Sequence, residues 1–186
     1  HADYSLISYN KQTLAFLKDY GVSGATLSPE LTAKEIRQLA KESPLPLTCI
    51  VHGRLELMVS NYCVTGSFLG GCGEGPCTQP CTRGHFALKD RKDALFPLAM
   101  DQFCHMHVLN SKVLSMMPHA MKFRAAGIET MQIEAKAMGE KEIAAIVKAY
   151  RKAMAFPEEP AEVQLSWIHE QEGKDITRGH YFRGVL

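Results

Sequence analysis

The chain has no long apolar run and no surplus of charge. Nothing in its 186 residues approaches the roughly 18 consecutive apolar residues of a membrane span. No stretch resembles a secretory signal peptide. Its 21 basic and 20 acidic residues leave a formal net charge of +1, which removes any global electrostatic case for nucleic acid. The locally basic run 83–92 (RGHFALKDRK) reads as a solvated turn between strands. Internal repeats and low-complexity segments are missing. So are a nucleophile elbow, a zinc-protease helix motif, a dinucleotide fingerprint and a phosphate loop.

What the chain does hold is clustered thiol. Five of its six cysteines lie between Cys63 and Cys104, two of them in the cassette Cys77-Thr78-Gln79-Pro80-Cys81. A disulfide framework belongs to short secreted chains with too little core, whereas 186 residues at 46% hydrophobic composition can build a core without staples. A reducing, cytoplasmic setting is therefore expected, where such a cluster reads as metal-binding or catalytic. The first residue is His1 and strand formers follow almost at once, a pattern expected of a fragment of a longer polypeptide.

Periodicity points to an α/β fold. Residues 4–9 (YSLISY) suggest a strand. Asn10 then caps a helix with Leu14, Phe16, Leu17 and Tyr20 on its apolar face, stopped by Gly21. Residues 25–27 form a second short strand. Thr32 with Glu35 makes a capping box ahead of Ile36, Leu39 and Ala40. The continuous apolar run 47–51 (LTCIV) suits a strand covered on both faces. Residues 55–60 extend the sheet, and 66–75, with five glycines, are expected to be irregular. Strands follow at 96–103 and 105–109, a helix from 110 to about 124, a strand at 130–134, an amphipathic helix at 140–154 and a last helix near 161–171. This alternation predicts a partial TIM-like β/α barrel with a cysteine-rich insertion. Residues 1–156 would form the barrel portion, 61–104 the insertion, and 157–186 a C-terminal helix and tail. Too few strands for closure leave open edges that invite self-association.

In such a barrel, chemistry gathers at the carboxyl ends of the strands. That places Ser28, Glu30, His52, Arg54 and Glu134 at the rim. Arg54 suits an anionic group, and His52 and Glu134 suit proton transfer. An Arg54–Glu134 ion pair joining two strands is the structural alternative. Cys63 and Cys104 end apparent strands, while prolines stiffen the turn that carries Cys77 and Cys81. Four thiolates so placed fit zinc or an iron–sulfur cluster, and the spacing does not choose between them. Cys72 is a substitute ligand in a glycine-rich setting. Cys49, inside an apolar strand, reads as a core thiol. His105 and His107 alternate along a strand and share a face, open to a metal, a substrate or ordinary packing.

Together these residues resemble the collagenase-like peptidase U-32 family. The matching pieces are Thr26-Leu27-Ser28-Pro29-Glu30-Leu31, Val51-His52-Gly53-Arg54 and Leu57-Met58-Val59-Ser60-Asn61-Tyr62-Cys63. They continue with the 77–81 cassette, Asp101-Gln102-Phe103-Cys104-His105-Met106-His107, Asn110-Ser111-Lys112, Gly127-Ile128 and Ile133-Glu134. Last comes Arg178-Gly179-His180-Tyr181-Phe182-Arg183-Gly184-Val185. The order agrees with the later half of the family's barrel, so the missing earlier part becomes an expected partner. Ala135-Lys136 departs from the Gly-Arg usual after Ile-Glu. The short gap from Cys72 to Cys77 sets Cys72 apart from other branches. The resemblance implies an iron–sulfur protein, of the 4Fe-4S kind, bound by Cys63, Cys77, Cys81 and Cys104. Such proteins support oxygen-independent hydroxylation of a tRNA or rRNA base or of a quinone precursor, so RNA or a small molecule is the expected substrate. The alternative it implies is a collagenase-like peptidase with a structural metal such as zinc.

Overall fold

The computed structural model describes residues 1–136, 138–155 and 176–183. The chain divides into two compact units, one formed by His1–Gly53 with Leu114–Leu186 and the other by Arg54–Val113. The helix expected at 161–171 lies outside the described residues.

The first unit is mixed α/β. Helix α1 (Lys11–Asp19) starts where the Asn10 side chain accepts the Thr13 N–H at 2.9 Å. Its inner face is Leu14 and Leu17, both buried. Phe16 and Tyr20 stack on each other instead, at 66% and 81% exposure. Strand β1 (Ala25–Thr26) leads to helix α2 (Ala33–Glu42), whose Thr32–Glu35 capping box is complete. Strand β2 (Leu47–Gly53) is buried at every position, as its unbroken apolar run requires. After the second unit, strand β7 (Val113–Ser115), helix α4 (Ala120–Ala125), strand β8 (Thr130–Glu134), helix α5 (Glu140–Ala155) and strand β9 (Ile176–Thr177) complete the first.

β2 organises this five-stranded sheet. β8 pairs parallel along one edge. The opposite edge is shared by β1, parallel at Leu47 and Thr48, and β7, antiparallel at His52 and Gly53; β7 then meets β9. The second unit holds strands β3 (Glu56–Ser60), β4 (Phe86–Lys89), β5 (Leu95–Met100) and β6 (Met106–Leu109), plus helix α3 (Val64–Leu69). Its sheet is antiparallel in the order β3-β6-β5-β4.

The mixed α/β class is as expected, and the described strands form two open sheets with no closed barrel; β7 runs antiparallel to β2 where a barrel would place a parallel neighbour. Several finer expectations yield to this arrangement. Residues 4–9 are not a strand: Tyr4–Leu6 form a 3-10 turn ended by Ile7 in the left-handed region, and Ala2 takes the parallel bridge to Ala25. The stretch 110–124 is not one helix. Asn110 accepts the Lys112 N–H at 3.0 Å and turns the chain, and Val113, Leu114 and Ser115 are buried as a strand. Pro118 sits in a 3-10 turn, Met117–His119, so the α-helix starts only at Ala120, since proline lacks the N–H a helix interior needs. The strand expected at 96–103 stops at Met100. The glycine-rich stretch is partly helical, in α3.

Candidate thiol centre

Helix α3 supplies the floor of the site. The Cys63 sulfur caps it, accepting the Gly66 N–H at 3.3 Å. The point where a Gly66 Cβ would stand lies 3.0 Å from the Cys72 sulfur, 3.4 Å from Cys77 and 3.5 Å from Cys63. One turn on, a Cβ at Gly70 would approach the Cys77 sulfur to 2.6 Å. Two glycines on one helix face thus leave a hollow that three sulfurs fill. The returning chain is tied to the same helix by Thr78 N–H to Gly70 O at 2.9 Å. A further amide, Gln79 N–H, donates to the Cys77 sulfur at 3.4 Å.

A hydrogen bond to Cys77 pushes the Cys72 thiol up, helped by desolvation and by the neighbouring charges of Cys77, Cys63 and Cys104. Cys81 lies in the 3-10 turn Pro80–Thr82. Cys49 is buried in β2, where desolvation raises its thiol to about 12. Cys72, the substitute ligand expected from the sequence, shares the hollow that Gly66 and Gly70 open, one helical turn apart. Among the described residues no group of three or more His, Cys, Asp or Glu stands ready to hold a metal ion. All of these cysteines are free thiols, with Cys72 hydrogen-bonded to Cys77.

Asp101 shapes the loop that carries Cys104. One carboxylate oxygen accepts the N–H groups of Phe103 and His105, each at 2.9 Å, and Cys104 between them has φ 63°. The other oxygen lies 2.8 Å from His105 Nδ1 and 3.6 Å from His107 Nε2. His107 Nδ1 reaches Glu56 at 2.5 Å. Desolvation alone would raise the Asp101 carboxyl. Hydrogen bonds from the His105 ring and from the His105 and Phe103 amides outweigh it and hold the group at about 2. The two histidines expected to share a face do share one carboxylate.

The residues expected at a barrel rim have different surroundings. His52 is 0% exposed, edge-on to the Tyr150 ring, with Nδ1 3.4 Å from the Tyr150 hydroxyl. Glu134 ends β8 half-buried, in register with Gly53. Arg54 lies in the second unit, where one guanidinium nitrogen donates to the carbonyls of Asn110 (2.9 Å) and Ser111 (2.5 Å). Ser28 accepts the Glu30 N–H at 3.3 Å, and the Tyr9 hydroxyl bonds the Glu30 carboxylate.

Comparison with known proteins adds two findings. The model of peptidase family U32 matches residues 1–184. The tRNA hydroxylation protein P1 of Bacillus subtilis (strain 168) is 24% identical over 166 residues, covering 87% of this chain and 39% of that protein. The chain thus spans less than half the length of this relative. No solved structure matches it. Among the described residues no helix is long and apolar enough to cross a membrane.

Proposed function

This chain belongs to peptidase family U32, and from that premise we propose that it forms part of an iron–sulfur protein supporting oxygen-independent hydroxylation of a tRNA base. The observation that carries this reading is the convergence of three cysteine sulfurs on the glycine face of α3. The relative named for tRNA hydroxylation supports the substrate class. The donor chemistry fits a soft metal centre: sulfur only, amides directed at two of the sulfurs, and a hollow that any Cβ would fill. The ligand set we favour is Cys63, Cys77, Cys81 and Cys104, with Cys72, which shares the hollow at Gly66, as the substitute ligand. A bound 4Fe-4S cluster would supply one-electron transfer at that position.

The chain's own groups have definable tasks in this reading. Asp101 holds Cys104 in its left-handed backbone through two amide hydrogen bonds. Glu134, half-buried at the end of β8, is the proton acceptor in this reading. Arg54, gripped by two carbonyls, fixes its loop and orients an anionic group of the substrate. His52, sealed in the core beside Tyr150, positions β2. The parallel strands β1, β2 and β8 are taken as part of the family's β/α barrel, completed by other segments of the full-length protein in a cytoplasmic setting.

Anaerobic purification of the full-length protein, followed by iron and sulfide analysis and mass spectrometry of tRNA nucleosides, tests the reading. Brown protein with about four iron and four sulfide per chain, and a hydroxylated tRNA nucleoside lost on deletion, are expected. Colourless protein holding zinc, or gelatin cleavage with unchanged tRNA, would overturn it.

A further inference from the structure

A cavity of about 470 Å³ in the first unit is lined by α2, by α4 with the 3-10 turn before it, and by residues 181–183. Its wall includes Lys34, Arg37, Lys122 and Arg183, with His119 and Phe182, and no carboxylate. None of the ion pairs found among the described residues involves these four cations. Glu35 stands close in sequence, but its carboxylate is committed to the Thr32 capping box. A chain of net charge +1 thus concentrates four fixed positive charges around one hollow. Glu35 feels the Lys34 charge, but positive charge still dominates the wall; like charges so gathered repel one another, and a bound anion relieves that repulsion.

Two further observations point to the same ligand chemistry. The His119 ring packs edge-on against Phe182 at 4.8 Å, and its buried Nδ1 has no hydrogen-bond partner among the described residues. Burial lowers the His119 pKa, with Lys122 and Arg178 adding to the effect, so the local field is positive. Aromatic edges beside cations are the usual furniture of nucleotide-binding surfaces, where rings meet bases and cations meet phosphate. The volume falls within the roughly 300–1,000 Å³ of small-ligand pockets, enough for one nucleotide unit.

We infer that this cavity binds phosphate groups of an RNA strand, one nucleotide unit seated against Phe182 and His119 and the flanking phosphates on Lys34, Arg37 and Lys122. The inference rests on the tRNA reading for its choice of polymer. Lys34, Arg37 and Lys122 are exposed, which suits a ligand that continues beyond the hollow.

The test is fluorescence anisotropy with a labelled, unmodified tRNA transcript, on protein prepared in air without a cluster. The variants are Lys34→Ala/Lys122→Ala and, as a charge-matched control on the exposed face of α5, Lys141→Ala/Lys148→Ala. Removing Lys34 and Lys122 is expected to weaken binding about tenfold at 0.1 M salt and to make the slope of log K against log salt shallower by about 1.5. The control pair is expected to keep its affinity, and thermal melts of both variants to match the parent. Equal losses in both pairs, or no loss in either, overturn the site. Adenosine 5′-monophosphate binding as tightly as tRNA would instead identify a small phosphorylated metabolite and overturn the RNA assignment. Because binding is read without the cluster, a failure of the hydroxylation reading leaves cavity-dependent RNA binding standing, and the reverse also holds.

Discussion

Gly53 and Glu134 meet across the β2–β8 pairing with no room for a side chain between them. They are register partners, Gly53 has φ +117°, and a Cβ there would stand 2.1 Å from the Glu134 carbonyl oxygen. The close approach fixes where Glu134 sits at the end of its strand. Gly53→Ala is therefore expected to cost about 2–4 kcal/mol, combining left-handed strain with a clash against backbone. Urea unfolding measures it, and a loss below about 1 kcal/mol would show that the two strands part easily.

The thiol centre makes a selective prediction. Cys63→Ser, Cys77→Ser, Cys81→Ser and Cys104→Ser are each expected to lower bound iron by more than half, whereas Cys49→Ser retains it. Iron retained in Cys81→Ser but lost in Cys72→Ser would make Cys72 the fourth ligand. In metal-free protein at pH 8, exposed Cys104 should alkylate first, ahead of Cys72, which is exposed but pushed up by its bond to Cys77. Cys49, held at about 12 by burial, should react only after unfolding.

Asp101 predicts a pH response in the Cys104 loop. Its folded pKa, about 2, is below the ordinary 3.8. The stabilisation it contributes is therefore complete above about pH 4 and disappears as the pH falls toward 2. Hydrogen exchange at the Phe103 and His105 amides should accelerate across that window. Asp101→Ala is expected to show fast exchange already at pH 7, together with quicker alkylation of Cys104. Slow exchange in Asp101→Ala would mean that the loop does not depend on this carboxylate.

Tyr150 ties three segments of the first unit together. Its hydroxyl donates to Val51 O at 2.8 Å, accepts the Met116 N–H at 3.3 Å and lies 3.4 Å from His52 Nδ1. Tyr150→Phe keeps the ring and removes the hydroxyl with these bonds, so a loss of about 1–2 kcal/mol is expected. The Met116 N–H retains Val51 O at 2.9 Å, which limits the cost. An unchanged melting temperature would show that this hydroxyl does not couple α5 to β2.

Sequence alone determined what depends on near neighbours. The Asn10 cap and the Thr32–Glu35 box are contacts within one turn, and the apolar run at 47–51 announced a strand buried on both faces. The grouping of cysteines was plain in the same way, as was the family through its motifs. Tertiary structure alone decided the elements whose partners are distant. Residues 113–115 become a strand because β2 offers them an edge, and residues 4–9 lose theirs because Ala2 has taken the bridge to Ala25. Cys72 joins Cys63 and Cys77 because Gly66 and Gly70 open one helix face, a hollow visible only once α3 is built. The cationic cavity gathers Lys34, Lys122 and Arg183 from three distant stretches of chain. A charge count sums over the whole sequence, and only folding decides which charges share a wall.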